Sequence, residues 1–126
     1  MLVDTDVLIW YMRGNDNARR TIQERSHIKI SVISYMELLQ GLRNKREFSI
    51  LRKTLQQWKT EILHIDMAIS LKAMFYFEQH FLSHALKIAD SLIAATAVVH
   101  HLPLLTANDK HYRMIKDLHI QLFRPS

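Results

Sequence analysis

Short apolar runs recur along this chain, and each passes directly into a stretch with helical periodicity. Leu2-Val3 ahead of Asp4, Ile28 to Ser31, Ile62 to Ile65, Leu104 to Thr106 and Ile120 to Phe123 read as strands. The intervening stretches read as helices: Val7 to Met12 with Gly14-Asn15 as its stop, Asn17 to Arg25, a segment carrying Glu37 that ends near Gly41, and Lys45 to Trp58. A long helix follows to about Phe81 with Asp66 as its N-cap. The next, Leu86 to His100, is apolar nearly all round and is expected to be buried. A short helix is expected near His111 to Ile115. Strands alternating with helices imply βαβ units and a parallel sheet covered on both faces. Only 2 Gly and 2 Pro leave little room for a turn-rich, many-stranded architecture. The 126 residues fit one α/β domain, 1–126, without repeat or linker.

In such folds ligands bind beyond the carboxyl ends of the strands, and there this chain places acids. Asp4 and Asp6 follow the first apolar run, Glu37 lies in the helix after the second strand, and Asn108-Asp109 follow Leu104-Leu105-Thr106. Asp90 interrupts a helix of Leu, Ile, Ala and Val. Carboxylates beside apolar strands and helices are costly unless a positive partner compensates their desolvation. Few Lys or Arg stand next to these positions in sequence, Lys87 being nearest to Asp90. A hard divalent cation, which takes oxygen ligands, is the natural compensation and points to a metal-dependent enzyme.

Each acid also has a purely structural reading. Ser34-x-x-Glu37 and Thr106-x-x-Asp109 match the helix capping box, and Asp4 and Asp6 could each serve the dipole of the first helix. Asp90 is the hardest to explain in that way.

Lys and Arg total 17 against 12 Asp and Glu, a formal charge of +5. With several acids committed to one site, the remaining surface is more basic still, which suits a phosphate-rich partner or simply solubility. Cys is absent, which excludes disulfides, thiolate zinc sites and thiol nucleophiles and agrees with a cytoplasmic protein. No apolar run approaches the ~18 residues that span a bilayer, so no membrane association is expected. The opening Met1-Leu2-Val3-Asp4 has no basic region of the secretory kind.

The motifs Val3-Asp4-Thr5-Asp6-Val7-Leu8-Ile9, Ser34-x-x-Glu37-Leu38, Ala89-Asp90-x-x-Ile93-Ala94-Ala95, Leu105-Thr106-x-Asn108-x-x-His111-Tyr112 and Phe123-Arg124-Pro125 occur in order along the chain. Together they resemble the PIN-domain ribonucleases, specifically the VapC-like toxins of type II toxin–antitoxin systems. The resemblance implies a three-layer α/β/α sandwich around a central, mainly parallel sheet. It also implies an endoribonuclease dependent on Mg²⁺ or Mn²⁺ that leaves a 5′-phosphate and a 3′-hydroxyl. Asp4, Asp90 and Glu37 would then be the metal ligands. Asn108 or the adjacent Asp109 would complete the catalytic set as its fourth member, with Thr5, Asp6 and Thr106 auxiliary. One or two ions, ~3.5–4 Å apart when paired, would activate water and stabilise the leaving oxygen. Arg13, Arg43, Lys45, Arg46 and Lys110 are candidate contacts to RNA phosphates, chosen for nearness in sequence to the acidic segments. An antitoxin and a second copy of the chain are the partners this family implies. The apolar residues of the early helices, from Trp10, Tyr11 and Met12 through Leu38, Leu39, Leu42, Phe48 and Leu51 to Trp58, would be part core and part antitoxin groove. Phe75, Phe77 and Phe81 would serve the dimer.

Two other functional readings stand beside this one. Asp4-Thr5-Asp6 superficially matches the opening of haloacid-dehalogenase-like phosphatases, although their downstream Lys and Gly-Asp motif are not evident. A non-catalytic RNA-binding module with a degenerate site is the other. His80-x-x-x-His84 shares one helical face but has no third zinc ligand at a recognisable spacing. His111 is either an RNA contact or surface packing.

Overall fold

The structure is a computed structural model that describes residues 1–25 and 27–126. In chain order the elements are β1 (Leu2–Val3), α1 (Thr5–Met12), α2 (Asp16–Gln23), β2 (Lys29–Ser31), α3 (Val32–Gln40), α4 (Lys45–Gln57) and β3 (Glu61–Leu63). They are followed by α5 (Met67–His80), α6 (Ile88–Val99), β4 (Leu104–Thr106), a 3₁₀ turn (Asp109–His111) and β5 (Ile120–Leu122). The strands form one sheet in the order β3-β2-β1-β4-β5, and every pairing is parallel. The chain thus starts at the centre, builds outward to β3, then crosses back to lay β4 on the other side of β1. The crevice where the two directions part, between β1 and β4, is where such sheets bind ligands.

The strand period of two sorts side chains to opposite faces. Leu2 and Leu104 enter one core with Leu63, Ile69, Tyr76 and Ile93, beneath α5 and α6. Val3 and Leu105 enter the other with Val7, Leu8, Ile22, Leu51 and Phe123, beneath α1, α2 and α4. Two apolar cores on opposite faces of one parallel sheet make the expected three-layer α/β/α sandwich.

The helix starts are set by side chains. Asn15, Asn44 and Asp66 each accept the backbone N–H three residues on, at 2.9 Å, the usual N-cap arrangement. Three expectations need correction. Ser31, not Ser34, caps α3 by accepting from the Ile33 amide at 3.0 Å, so Ser34-x-x-Glu37 is no capping box. Thr106 lies inside β4, and Asn108, which precedes the 3₁₀ turn, makes no side-chain cap bond, so the second capping box fails too. The short helix near His111 to Ile115 is replaced by the 3₁₀ turn, which ends at His111. On α6, Ser91 and Ile93 to Ala97 are buried as expected, whereas Ile88 in its first turn is exposed. No helix among the described residues is long and apolar enough to cross a membrane.

Candidate active site

Asp4 sits where β1 ends and serves as the N-cap of α1, its Oδ1 accepting the Thr5 amide at 2.8 Å. Its Oδ2 accepts the Thr106 hydroxyl at 2.8 Å, across the β1–β4 seam. The parallel register places these residues together, since Leu2 and Val3 stand opposite Leu104 and Leu105. Asp6, one residue into α1, turns back to the same seam: its Oδ2 accepts the Ala107 amide at 3.1 Å and lies 3.4 Å from Thr106 Oγ1. Its other oxygen, Oδ1, is buried without a hydrogen-bond partner.

Glu37 arrives from α3 on the opposite side of Asp4. Thr5 Oγ1 donates to Glu37 Oε1 at 2.7 Å and lies 2.9 Å from Ser34 Oγ. Thr5 has one hydroxyl proton, so donation to the carboxylate leaves its lone pairs to receive the Ser34 hydroxyl. Ser34 therefore orients Thr5, and Thr5 holds both neighbours, Asp4 through its amide and Glu37 through its hydroxyl. The Ser34 role was not anticipated, because spacing within one helix cannot reveal a partner from α1.

Asp90 comes from the first turn of α6. The Tyr112 hydroxyl stands 3.5 Å from its Oδ1, and His111 Nδ1 lies 3.7 Å from its Oδ2. The Nε2 of the same imidazole is 3.2 Å from Asn108 Nδ2. Asp109 contributes its carbonyl, which accepts the Tyr112 amide at 3.0 Å and the Arg113 amide at 2.9 Å.

The electrostatics of the cluster show charge awaiting compensation. Burial, reinforced by the neighbouring Asp6 carboxylate, pushes the Asp4 acid up to about 7 despite its bonds from Thr106 and Thr5. Burial likewise raises Asp6 and Asp90; the Ala107 amide moderates the first and nearby His111 the second. Burial, then the charges of Asp4 and Asp90, raise the Tyr112 phenol, which holds it as a neutral donor between them. Among the described residues no Lys or Arg forms an ion pair with any of these acids.

A hard divalent cation suits this donor set, which is all oxygen, with an orphaned carboxylate oxygen on Asp6 and a desolvated Asp4. Among the described residues no three His, Asp or Glu side chains stand close enough together to enclose a metal ion.

The candidate phosphate contacts differ in setting. Arg13 is exposed and lies 6.0 Å from the Trp10 ring centroid. Arg43 is engaged by Glu47 at 2.8 Å, whereas Lys45, Arg46 and Lys110 are exposed. Arg20, Arg25 and Arg124 line a second cleft of about 410 Å³ between α2 and β5, a grouping with no local sequence signal. A larger groove of about 770 Å³ runs from Glu37 between α1, α3 and α4, with Ile9, Met12, Leu42 and Ile50 among its walls. Leu38 and Leu51 are core residues at its floor, and Tyr11 packs edge-on against Trp58 at 4.5 Å.

The family model for the PIN domain matches residues 1–117 of this chain. Ribonuclease VapC10 of Mycobacterium tuberculosis is 35% identical over 125 residues, covering 94% of this chain and 90% of the relative. Ribonuclease VapC1 of Methanocaldococcus jannaschii is 28% identical over 124 residues, covering 98% and 86% respectively. In three dimensions the chain matches one from a toxin–antitoxin complex of Klebsiella pneumoniae. The TM-score is 0.75 at 26% identity, over 99% of this chain and 97% of that one.

Proposed function

Because this chain belongs to the PIN-domain family, among the VapC proteins, we propose that it is a divalent-metal-dependent endoribonuclease acting as the toxin of a toxin–antitoxin pair. One observation carries the reading: Asp4, Glu37 and Asp90, from three distant segments, face one crevice, and among the described residues no Lys or Arg forms an ion pair with them. Asp4, Asp90 and Glu37 would hold Mg²⁺ or Mn²⁺, with Asp6 and Asn108 at the margin. When bound, the ion supplies Lewis-acid stabilisation of the phosphoryl oxygens and a more acidic water. The chain's own residues prepare the place. Thr5 and Thr106 fix the Asp4 carboxylate in one rotamer, Ser34 and Thr5 fix Glu37, and Tyr112 reaches Asp90 with a neutral hydroxyl. The phosphatase alternative loses its basis, since the PIN match takes in Asp4-Thr5-Asp6 and Asp90 together.

The substrate reading rests on the net charge of +5. Arg13, Arg46, Lys45 and Lys110 are exposed to receive phosphates, and Arg43 would exchange Glu47 for one. The partner reading rests on the groove that leads to Glu37: an antitoxin tail lying on its apolar walls would bring a basic side chain to the acids. Self-association rests on α5, where Leu71, Met74 and Phe75 are at least half exposed and Phe81 stacks on Phe77 at 5.6 Å.

A cleavage assay on single-stranded RNA tests the enzyme. Activity should require Mg²⁺ or Mn²⁺, vanish with EDTA and return on adding metal back. Full cleavage in EDTA, or none with either metal, would sink the proposal. Co-expression with the neighbouring gene product tests the antitoxin: separate elution with undiminished nuclease activity ends that part. A monomeric mass at every micromolar concentration by light scattering ends the dimer.

A further inference from the structure

Asp4 and Glu37 are held by short hydrogen bonds from their own surroundings, whereas Asp90, apart from Lys87 at the start of its own helix, is addressed from the segment after β4. Two consecutive residues there take one oxygen each: Tyr112 faces Oδ1 at 3.5 Å and His111 faces Oδ2 at 3.7 Å. His111 is itself oriented. A side-chain NH₂ can only donate, so Asn108 Nδ2, at 3.2 Å, occupies the lone pair of Nε2. In the neutral ring the proton then resides on Nδ1, the nitrogen that faces Asp90.

The backbone locks this relay to the other half of the crevice. The Asn108 amide donates to Thr106 Oγ1 at 3.0 Å, the same hydroxyl that donates to Asp4 Oδ2 at 2.8 Å. The His111 amide closes onto the Asn108 carbonyl at 3.1 Å. A path of hydrogen bonds therefore runs from Asp4 through Thr106 and Asn108 to His111, whose ring faces Asp90 across 3.7 Å.

We infer that Asn108 and His111 are positioning residues that set the Asp90 carboxylate relative to Asp4, and that Asn108 acts through the imidazole rather than by lending an oxygen to the metal. The inference rests on the metal-dependent reading above. It also separates two neighbours that sequence left as rivals for the fourth place in the site. Asn108 governs His111 by its side chain, while Asp109 frames the turn through its carbonyl. Partners that orient ligating carboxylates commonly change metal affinity 10–100-fold. The His111 side chain is 44% exposed, so its removal opens no core cavity and leaves the fold intact.

The test is a double-mutant cycle in the full chain with N108A, H111A and the pair, adding N108D and H111N. Mn²⁺ affinity is read by calorimetry, RNA cleavage at saturating Mn²⁺, and folding by thermal melting. Each single variant should weaken Mn²⁺ binding about tenfold, and the pair should be no worse than H111A alone, the non-additivity of a single relay. The RNA KM should hold while kcat falls. H111N, which keeps an N–H donor near the place of Nδ1, should recover most of the loss. Additive losses, an H111A variant with wild-type Mn²⁺ affinity, or N108D binding Mn²⁺ more tightly than wild type would overturn the inference. Wild-type protein that neither binds Mn²⁺ nor cleaves RNA would instead defeat the metal-dependent reading and this inference with it. Wild-type protein that does both, beside variants that match it, defeats this inference alone.

Discussion

The two halves of the crevice are built differently. On one side Asp4 and Glu37 are held by hydrogen bonds of 2.7 and 2.8 Å from Thr5 and Thr106, residues of α1 and β4 at the carboxyl edge of the sheet. On the other, Asp90 projects from a helix whose N-cap, Lys87, makes no side-chain bond, and its contacts measure 3.5 and 3.7 Å. In the first half strand register sets Asp4 beside Thr106, and Thr5 ties Glu37 of α3 to them. The second depends on how α6 and the 3₁₀ turn settle against each other. A site so divided has a tightly bonded anchor and a loosely bonded jaw, and on the metal-dependent reading an ion would draw them to one geometry.

Removing an acid from each half gives the largest effects. Asp4→Asn and Asp90→Asn should each cut cleavage by more than the 10–100-fold typical of outer-shell partners, and cleavage at the wild-type rate by a folded variant would remove that residue from the site. Burial raises both acids, and the stability effect should be the larger for Asp4. Asp4 has its acid raised from 3.8 to about 7 in the folded protein, so the native state binds the proton more tightly than the unfolded chain. The sign follows: in metal-free protein this group costs nothing below its unfolded value, and stability falls as pH rises from about 4 to about 7. Asp4→Asn in EDTA should therefore melt higher than wild type at pH 8, by about 5 °C, and lose that advantage at pH 4. The amide introduced by Asp4→Asn can also donate to Thr106 Oγ1, which frees the hydroxyl proton for Asp6. A lower melting temperature at pH 8 would mean that the charge is already compensated.

A smaller effect comes from the hydroxyl groups that hold each half. Thr5→Val keeps the shape but strips Glu37 of its 2.7 Å donor; Tyr112→Phe strips Asp90 of its 3.5 Å one. The shorter bond to a charged acceptor is the stronger, so kcat should fall about tenfold for Thr5→Val and less for Tyr112→Phe. The reverse order in single-turnover rates would show that the jaw, not the anchor, limits the reaction.

The same division decides what the sequence made legible. Strand-end acids are visible because apolar runs stop at them: Leu2-Val3 before Asp4 and Leu104-Leu105-Thr106 before Asn108 pointed to one sheet edge, and the order β3-β2-β1-β4-β5 brings them together. Asp90 was visible as a charge in an apolar helix. What holds the acids was hidden, because Ser34 and Thr5 are 29 residues apart and Tyr112 and Asp90 are 22 apart. Local spacing even misled, since Ser34 at the right distance from Glu37 imitated a capping box while Ser31 did the capping. The Arg20, Arg25 and Arg124 cleft escaped notice for the same reason: it forms only when the chain end folds against α2, with Asn15 donating to the Pro125 carbonyl at 2.9 Å.

The smallest effects belong to the basic side chains around the two halves, and they ask whether RNA spans both. Arg43 lies just before α4 and Lys45 and Arg46 at its start, on the Glu37 side, whereas Lys110 rises from the 3₁₀ turn on the Asp90 side. A side chain that neutralises one phosphate releases about one counterion, so its removal should lower the slope of log affinity against log salt by about 1. Arg46→Ala and Lys110→Ala should each do so if the strand crosses the whole crevice. Arg43→Ala should do less, because Glu47 already occupies its guanidinium at 2.8 Å and must be displaced before a phosphate can bind. Fluorescence anisotropy with a labelled single-stranded RNA in EDTA, where nothing is cut, reads these slopes directly. An unchanged slope for Lys110→Ala beside a reduced one for Arg46→Ala would confine RNA to the anchored half. The jaw would then hold the ion and not the strand. A flat salt dependence in the wild type would remove the electrostatic argument for RNA binding altogether.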